Sequence, residues 1–217
     1  MWPFLRAGFT NTLVLLALSL VLSTILGTVL ASMRVSPVLP LRAFGTSYVN
    51  IFRNTPLVVM FILIVEGFPP VDIRPNIEAI GLNTFETLAV FALTIYTAAF
   101  VCEALRSGVN TVDPGQAEAA RAVGMTFTQT LSVIVLPQAF RAVIPPLASV
   151  YIALTKNTSV AAAFGVVEAT AQLSRMNEQT VAGTGVLFFG IAAGYVVIVW
   201  VISGIAAFLE RQVATAR

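Results

Sequence analysis

The chain has 217 residues, of which 58% are apolar and only 10% charged, far from the roughly 25% charge of ordinary soluble domains. A mean hydropathy of +0.91 makes lipid the natural solvent for much of it. With no histidine and the single cysteine Cys102, metal centres, thiol–histidine catalysis, a Ser-His-Asp triad and disulfide scaffolds are excluded together.

These figures describe an all-α membrane protein with about five transmembrane helices, one domain over residues 1–217, and not an enzyme. The first span is Thr12 to Met33, uncharged and bracketed by Arg6 and Arg34. It exceeds the usual ~7 to 15 apolar residues of a signal peptide, and no Ala-x-Ala site follows it. Ser19, Ser23, Gly27 and Ala31 recur every four residues, a stripe along which another helix can approach closely. The second run is Thr55 to Val65, extended back through Tyr48 to Phe52 if Arg53 and Asn54 lie at the membrane edge or inside the bundle. Glu66 closes it and is a candidate for a substrate ammonium, or an ordinary outer-edge carboxylate. The third span is Leu88 to Val101, lengthened by Glu86 and Glu103. Glu103 stands three residues before Arg106, so an intrahelical pair is available. Tyr96, with Thr94 and Thr97, either lines a path or bonds a neighbouring helix.

Between Arg106 and Arg141 the local signals describe two short helices outside the membrane. Asp113 suits an N-cap, Pro114 the first helical position, Gln116 the closing position of a capping box, and Gly124 the left-handed residue that ends the helix. Thr126 and Gln129 repeat the box, Leu131, Ile134 and Val135 make an apolar face, and Pro137 is expected to stop the element. Such a helix-turn-helix, rich in small residues, suits another protein's groove.

The fourth span, Ala142 to Val167, is interrupted by Pro145, Pro146 and Lys156. Counted from the prolines, Lys156 lies about 17 Å along the helix, near the bilayer midplane. Asn157, Thr158 and Ser159 are poor helix formers and good caps, so the helix is expected to break and restart there. Lys156, Thr158 and Ser159 are then candidates for receiving a substrate carboxylate at a free helix N-terminus. The alternative is structural, with Lys156 paired to Glu103 or Glu66 or capping backbone carbonyls at the helix break. The fifth span is Val186 to Leu209, with Gly190 and Gly194 at a packing spacing, within the chain or across a dimer.

Charge orients the whole. With the N-terminus outside, Arg34, Arg42, Arg53, Arg106, Arg121, Arg141, Arg211 and Arg217 fall on the cytoplasmic face, and only Arg6, Arg74 and Arg175 outside. The C-terminus is then cytoplasmic. Glu66, Asp72, Glu78, Glu86, Glu168 and Glu178 gather at the outer loops or their margins, either to dock a basic partner or as solvated loop charge.

The segment EAARAVGMTFTQTLSVIVLP, Glu118 to Pro137, resembles the EAA loop of ABC-importer permeases at Glu118, Ala119, Ala120, Gly124, Ile134, Leu136 and Pro137. RNTPL (Arg53 to Leu57), GQAEAA (Gly115 to Ala120), LPQAFR (Leu136 to Arg141) and KNTS (Lys156 to Ser159) are similar to segments of permeases for polar amino acids, of the histidine, glutamine and glutamate type. The family more often has Gly at Asn54 and Asp at Asn157. Met33 to Pro37 and Leu105 to Val112 look most like the actinobacterial glutamate-uptake branch. The resemblance implies an importer subunit in the bacterial plasma or inner membrane. It implies a cytoplasmic ATPase dimer docking at Glu118, Ala119, Ala120 and Gly124, an extracytoplasmic solute-binding protein, and a second permease subunit, a paralogue rather than a copy. No cofactor is implied for this chain and no nucleic acid partner; ATP and Mg are used by the ATPase. The chain's lack of a Gly-x-x-x-x-Gly-Lys-Ser/Thr loop fits an external energy source. The competing reading is a self-sufficient carrier, which usually shows internal repeats and more spans, or an intramembrane enzyme using Ser159 with Lys156.

Overall fold

A computed structural model of the chain describes residues 2–69, 75, 81–179 and 184–214. Arg74 and Arg217, used above to orient the chain, and Asp72, Glu78 and the Glu178 side chain of the outer acidic set lie outside the described residues. Helix α1 (Trp2–Arg34) and helix α4 (Thr84–Val109) form the central pair and run along each other more extensively than any other pair. The small-residue stripe is the reason. Ser19 and Ser23 are fully buried, and a Cβ added at Gly27 would come within 2.6 Å of Val101 and 3.0 Å of the Ala98 carbonyl.

The second apolar run is a bent pair rather than one rod. Helix α2 (Leu39–Asn54) and helix α3 (Leu57–Phe61), the latter continued by a π turn over Ile62–Glu66, meet at 107°. Thr55 is extended, at φ −89° and ψ 129°, because the ring of Pro56 disfavours the helical conformation in the residue before it, and Pro56 has no N–H to continue the ladder. Leu57–Glu66 spans only about 15 Å as a helix, half the hydrocarbon thickness. Among the described residues there are therefore four helices long and apolar enough to cross, and five spans if the bent pair is one.

Helix α5 (Pro114–Ala122) and the single turn α6 (Phe127–Gln129) follow α4. Pro137 does not stop the second loop helix. A π turn over Thr130–Val135 leads without a break into α7 (Leu136–Asn157). The proline ring would clash with the carbonyl four residues back, at Val133, and wider i→i+5 bonding, seen in Leu136 N–H reaching Leu131 O, turns that carbonyl aside. Pro145 and Pro146 likewise sit inside α7 without ending it. The expected break after Lys156 is also absent: α7 passes into a 3-10 helix, Thr158–Phe164, ended by Gly165 at φ 79°. Helix α8 (Ala169–Gln179) then packs on α1 and α9, and α9 (Thr184–Ala214) packs on α7. Gly194 lies against Phe9 of α1, whereas Gly190 faces open space.

Candidate functional site

Three features are candidates for function: the loop after α4, a largely apolar pocket between α7 and α9 that carries Lys156 and Ser159, and a groove between α4 and α7. In the loop, Asp113 caps α5 by accepting from Gly115 N at 2.8 Å. Gln116 does not close a capping box; its side-chain oxygen accepts from Gln138 Nε2 at 2.6 Å, tying α5 to α7. Gly124 has φ +92°. Its N–H donates to Arg121 O at 3.0 Å and the Met125 N–H to Ala120 O at 3.1 Å, the paired bonds of a Schellman ending. The expected box at Thr126 is present, with Gln129 N on Thr126 Oγ1 and Thr126 N on Gln129 Oε1. Ala120 is buried, Glu118, Ala119 and Gly124 are exposed, and Val123 and Phe127 are 81% and 72% exposed at the tip. The loop thus ends in a rigid turn that presents bare apolar side chains.

The α7–α9 pocket holds about 200 Å³ and is lined by Lys156, Ser159, Thr170, Phe188, Ile191 and Tyr195 among others. Lys156 is exposed, and among the described residues no carboxylate pairs with it. The structural pairing with Glu103 or Glu66 is therefore not formed. Ser159 Oγ donates to the Lys156 carbonyl at 2.6 Å, which is not the arrangement of a nucleophile activated by the lysine amine. Thr158 departs from expectation. It is fully buried, its hydroxyl donates to Thr155 O at 2.7 Å, and its N–H is bonded to Leu154 O. With the helix continuous, no free N-terminus exists there, because each N–H still finds a carbonyl of the preceding turn.

Behind this pocket lies Glu168, wholly buried although expected at the outer margin. Its carboxylate accepts from Tyr195 Oη at 2.5 Å, Ala171 N at 2.8 Å and Thr12 Oγ1 at 3.3 Å. Three donors satisfy a charge that water cannot reach, and Tyr195 is thereby fixed where it lines the pocket. Glu86 is also buried rather than displayed. It closes the capping box of α4 with Asn83 and receives Asn11 Nδ2 at 3.3 Å. Among the described acidic residues of the outer set, only Glu66 is exposed, and it borders neither pocket nor groove.

Tyr96 belongs to the α4–α7 groove, in a cavity of about 330 Å³ with Thr97, Phe100, Ser149, Val150 and Asn157. Thr94 is buried beside it. At the end of α4 nearest the loop, Glu103 meets Arg106 Nη2 at 3.4 Å, as its spacing foresaw. Its closest partner, however, is Arg34 of α1, and Arg53 Nη1 stands 3.7 Å away. Sequence reading put Glu168 with the outer acidic residues, yet a signal for burial was present: it is the only charge between Lys156 and Arg175, and an isolated charge in an apolar run is buried with partners or functional.

Comparison with known proteins bears on the chain as a whole. Residues 7–215 match the family model described as binding-protein-dependent transport system inner membrane component. The chain is 41% identical over 201 residues to the glutamate transport system permease protein GluC of Corynebacterium efficiens, covering 90% of this chain and 88% of that one. It is 35% identical to the probable glutamine ABC transporter permease protein GlnM of Bacillus subtilis over 94% of this chain and 91% of that relative. In structure it is similar to an amino acid ABC transporter solved with histidines, with TM-score 0.83, 30% identity, and coverage of 97% of this chain and 94% of that one.

Proposed function

The chain belongs to the family of inner membrane components of binding-protein-dependent transport systems, and on that premise we propose how its residues move an amino acid. It is the transmembrane subunit of an ATP-driven importer of the bacterial cell membrane that carries a polar amino acid into the cytoplasm. Glutamate is the substrate that best fits the relatives. ATP and Mg are used by a separate ATPase dimer that docks on the loop of Glu118, Ala119, Ala120 and Gly124. A solute-binding protein delivers the substrate outside, and a second, paralogous permease completes the path. The N-terminus lies outside and the C-terminus in the cytoplasm, the arrangement that puts the exposed loop and eight arginines on the ATPase side.

The observation that carries this reading is the loop itself. A Schellman-ended helix and a capped turn hold Val123 and Phe127 in the open, a costly display unless a partner covers them. Substrate recognition is assigned to Lys156 and Ser159, with Tyr195 held by Glu168 on the facing side. An unpaired ammonium in a membrane pocket attracts a carboxylate, while Thr158, turned inward, acts by packing. Tyr96 lines a separate stretch of the path, and Glu66 remains a candidate ammonium contact at its outer end. Co-expression with the neighbouring ATPase and a second permease, followed by reconstitution in proteoliposomes, tests the reading. Uptake of labelled glutamate that needs both ATP and the binding protein is the expected result, and uptake independent of ATP would overturn it.

A further inference from the structure

The α4–α7 groove continues past Tyr96. A second cavity of about 330 Å³, lined by Arg53, Phe100, Glu103, Ser107, Pro146 and Val150, shares Phe100 and Val150 with the first. Tyr96 and Ser107 on α4, and Asn157 and Pro146 on the opposed α7, mark its two ends, about 16 Å apart at 1.5 Å per residue. The far end is the one from which the coupling loop springs. There one carboxylate faces three guanidiniums, and they are not equivalent. The Arg34 side chain is only 12% exposed and bonds Glu103 Oε1; Arg106 takes Oε2 at 3.4 Å. Arg53 is 53% exposed, and among the described residues the carboxylate it faces is Glu103, whose Oε2 lies 3.7 Å away, beyond hydrogen-bond reach. None of its five N–H donors is used in a hydrogen bond among the described residues. The cluster holds two positive charges in excess, the Glu103 charge is already met by Arg34 and Arg106, and of the three guanidiniums Arg53 is the most exposed and the one that lines the groove.

We propose that this groove is the cytoplasmic leg of the substrate path and that Arg53 is its carboxylate-receiving residue, taking an amino acid carboxylate in a planar two-bond contact before release. The step involves no covalent chemistry. Arg53 relaxes from Glu103, pairs with the passing carboxylate, and returns to Glu103 when the ligand leaves, so the site is never left without a counter-charge. The 3.7 Å separation suits such an exchange, because a pair beyond hydrogen-bond distance has little to lose on parting. This rests on the chain being an amino acid permease.

The test uses the whole importer with its ATPase, second permease and binding protein in proteoliposomes, with labelled L-glutamate as the probe. Arg53→Cys should lower uptake about tenfold, the loss of one charge-assisted contact, while binding-protein-stimulated ATP hydrolysis persists. The chain's own Cys102 is buried, and the wild-type importer treated in parallel controls for the other subunits. Modification with 2-aminoethyl methanethiosulfonate, which restores a cation, should return most of the uptake, and the sulfonatoethyl reagent should not. Wild-type uptake by Arg53→Cys overturns the inference, as does rescue that ignores the sign of the reagent or fails altogether in an assembled complex. Failure of Arg53→Cys and Arg53→Gln alike to assemble assigns Arg53 to a structural lock and also overturns it. A wild-type importer that takes up no amino acid overturns the permease reading itself, a distinct result.

Discussion

Lys156 and Glu168 illustrate two ways for a charge to live in an apolar bundle. Lys156 points into a pocket and has no carboxylate partner among the described residues. Glu168 has three donors and no exposure. Their substitutions should therefore separate. Lys156→Met keeps the apolar stem, so thermal stability in detergent should stay near wild type while uptake falls about 10- to 100-fold, the worth of one hydrogen bond to a charged group at about 1.5 to 3 kcal/mol. A large loss of stability with unchanged uptake would refute the assignment. Glu168→Leu should do the reverse first. It leaves the Tyr195 hydroxyl and the Ala171 N–H without their acceptor, the Thr12 hydroxyl keeping the Gly8 carbonyl at 3.1 Å, at a cost of about 2 to 4 kcal/mol, and Glu168→Gln should recover part of it. Thermal unfolding of the purified chain reads both. Sequence spacing was enough to single out Lys156, because a lone lysine in an apolar run is conspicuous. It did not reveal Glu168, whose partners come from α1, α8 and α9 and lie far apart in the chain.

At the level of elements, local chemistry foretold caps and turns well and helix continuity poorly. Asp113, Gly124 and Thr126 with Gln129 each act within a few residues, so their geometry follows from type and spacing. Gly124→Val forces a β-branched residue to φ +92°, a strain of about 1 to 3 kcal/mol confined to the turn. The variant should insert into membranes normally and lose ATP-driven uptake; wild-type uptake would show that the turn is not needed for coupling. Gly27 provides the counterpart inside the bundle. Gly27→Val places its Cβ within 2.6 Å of Val101, and overpacking of the α1–α4 contact should cost about 1 to 3 kcal/mol, seen as a lower melting temperature in detergent. Prolines were the misleading signal. Pro137 read as a stop and Pro145 and Pro146 as interruptions of the fourth span, yet the helix runs through all three, since a π turn and neighbouring helices relieve a clash that would end an isolated helix.

For the assembled molecule, the exposed loop is the docking surface proposed for the ATPase. Glu118 is exposed on α5, beside the tip formed by Val123 and Phe127, so Glu118→Lys reverses one charge without disturbing the fold. It should weaken co-purification of the ATPase about tenfold, the scale of a like-charge contact at an interface. Unchanged co-purification together with unchanged uptake would remove Glu118 from the docking surface. The same loop adjoins the Glu103 cluster, where α1, α2 and α4 meet through three arginines.

What the amino-acid order determined alone was whatever depends on composition, period and near neighbours: a membrane solvent, the apolar runs, the packing stripe on α1, the caps of the coupling loop and the family motif. Tertiary structure decided what depends on distant segments meeting. It carried α7 through its prolines, buried Glu86 and Glu168 against Asn11, Thr12 and Tyr195, and gave Glu103 to Arg34 rather than to Lys156. The physical reason is common to all three. In a bundle a charge or an interrupted backbone is satisfied by whichever helix lies beside it, and that neighbour is chosen by packing, not by position in the chain.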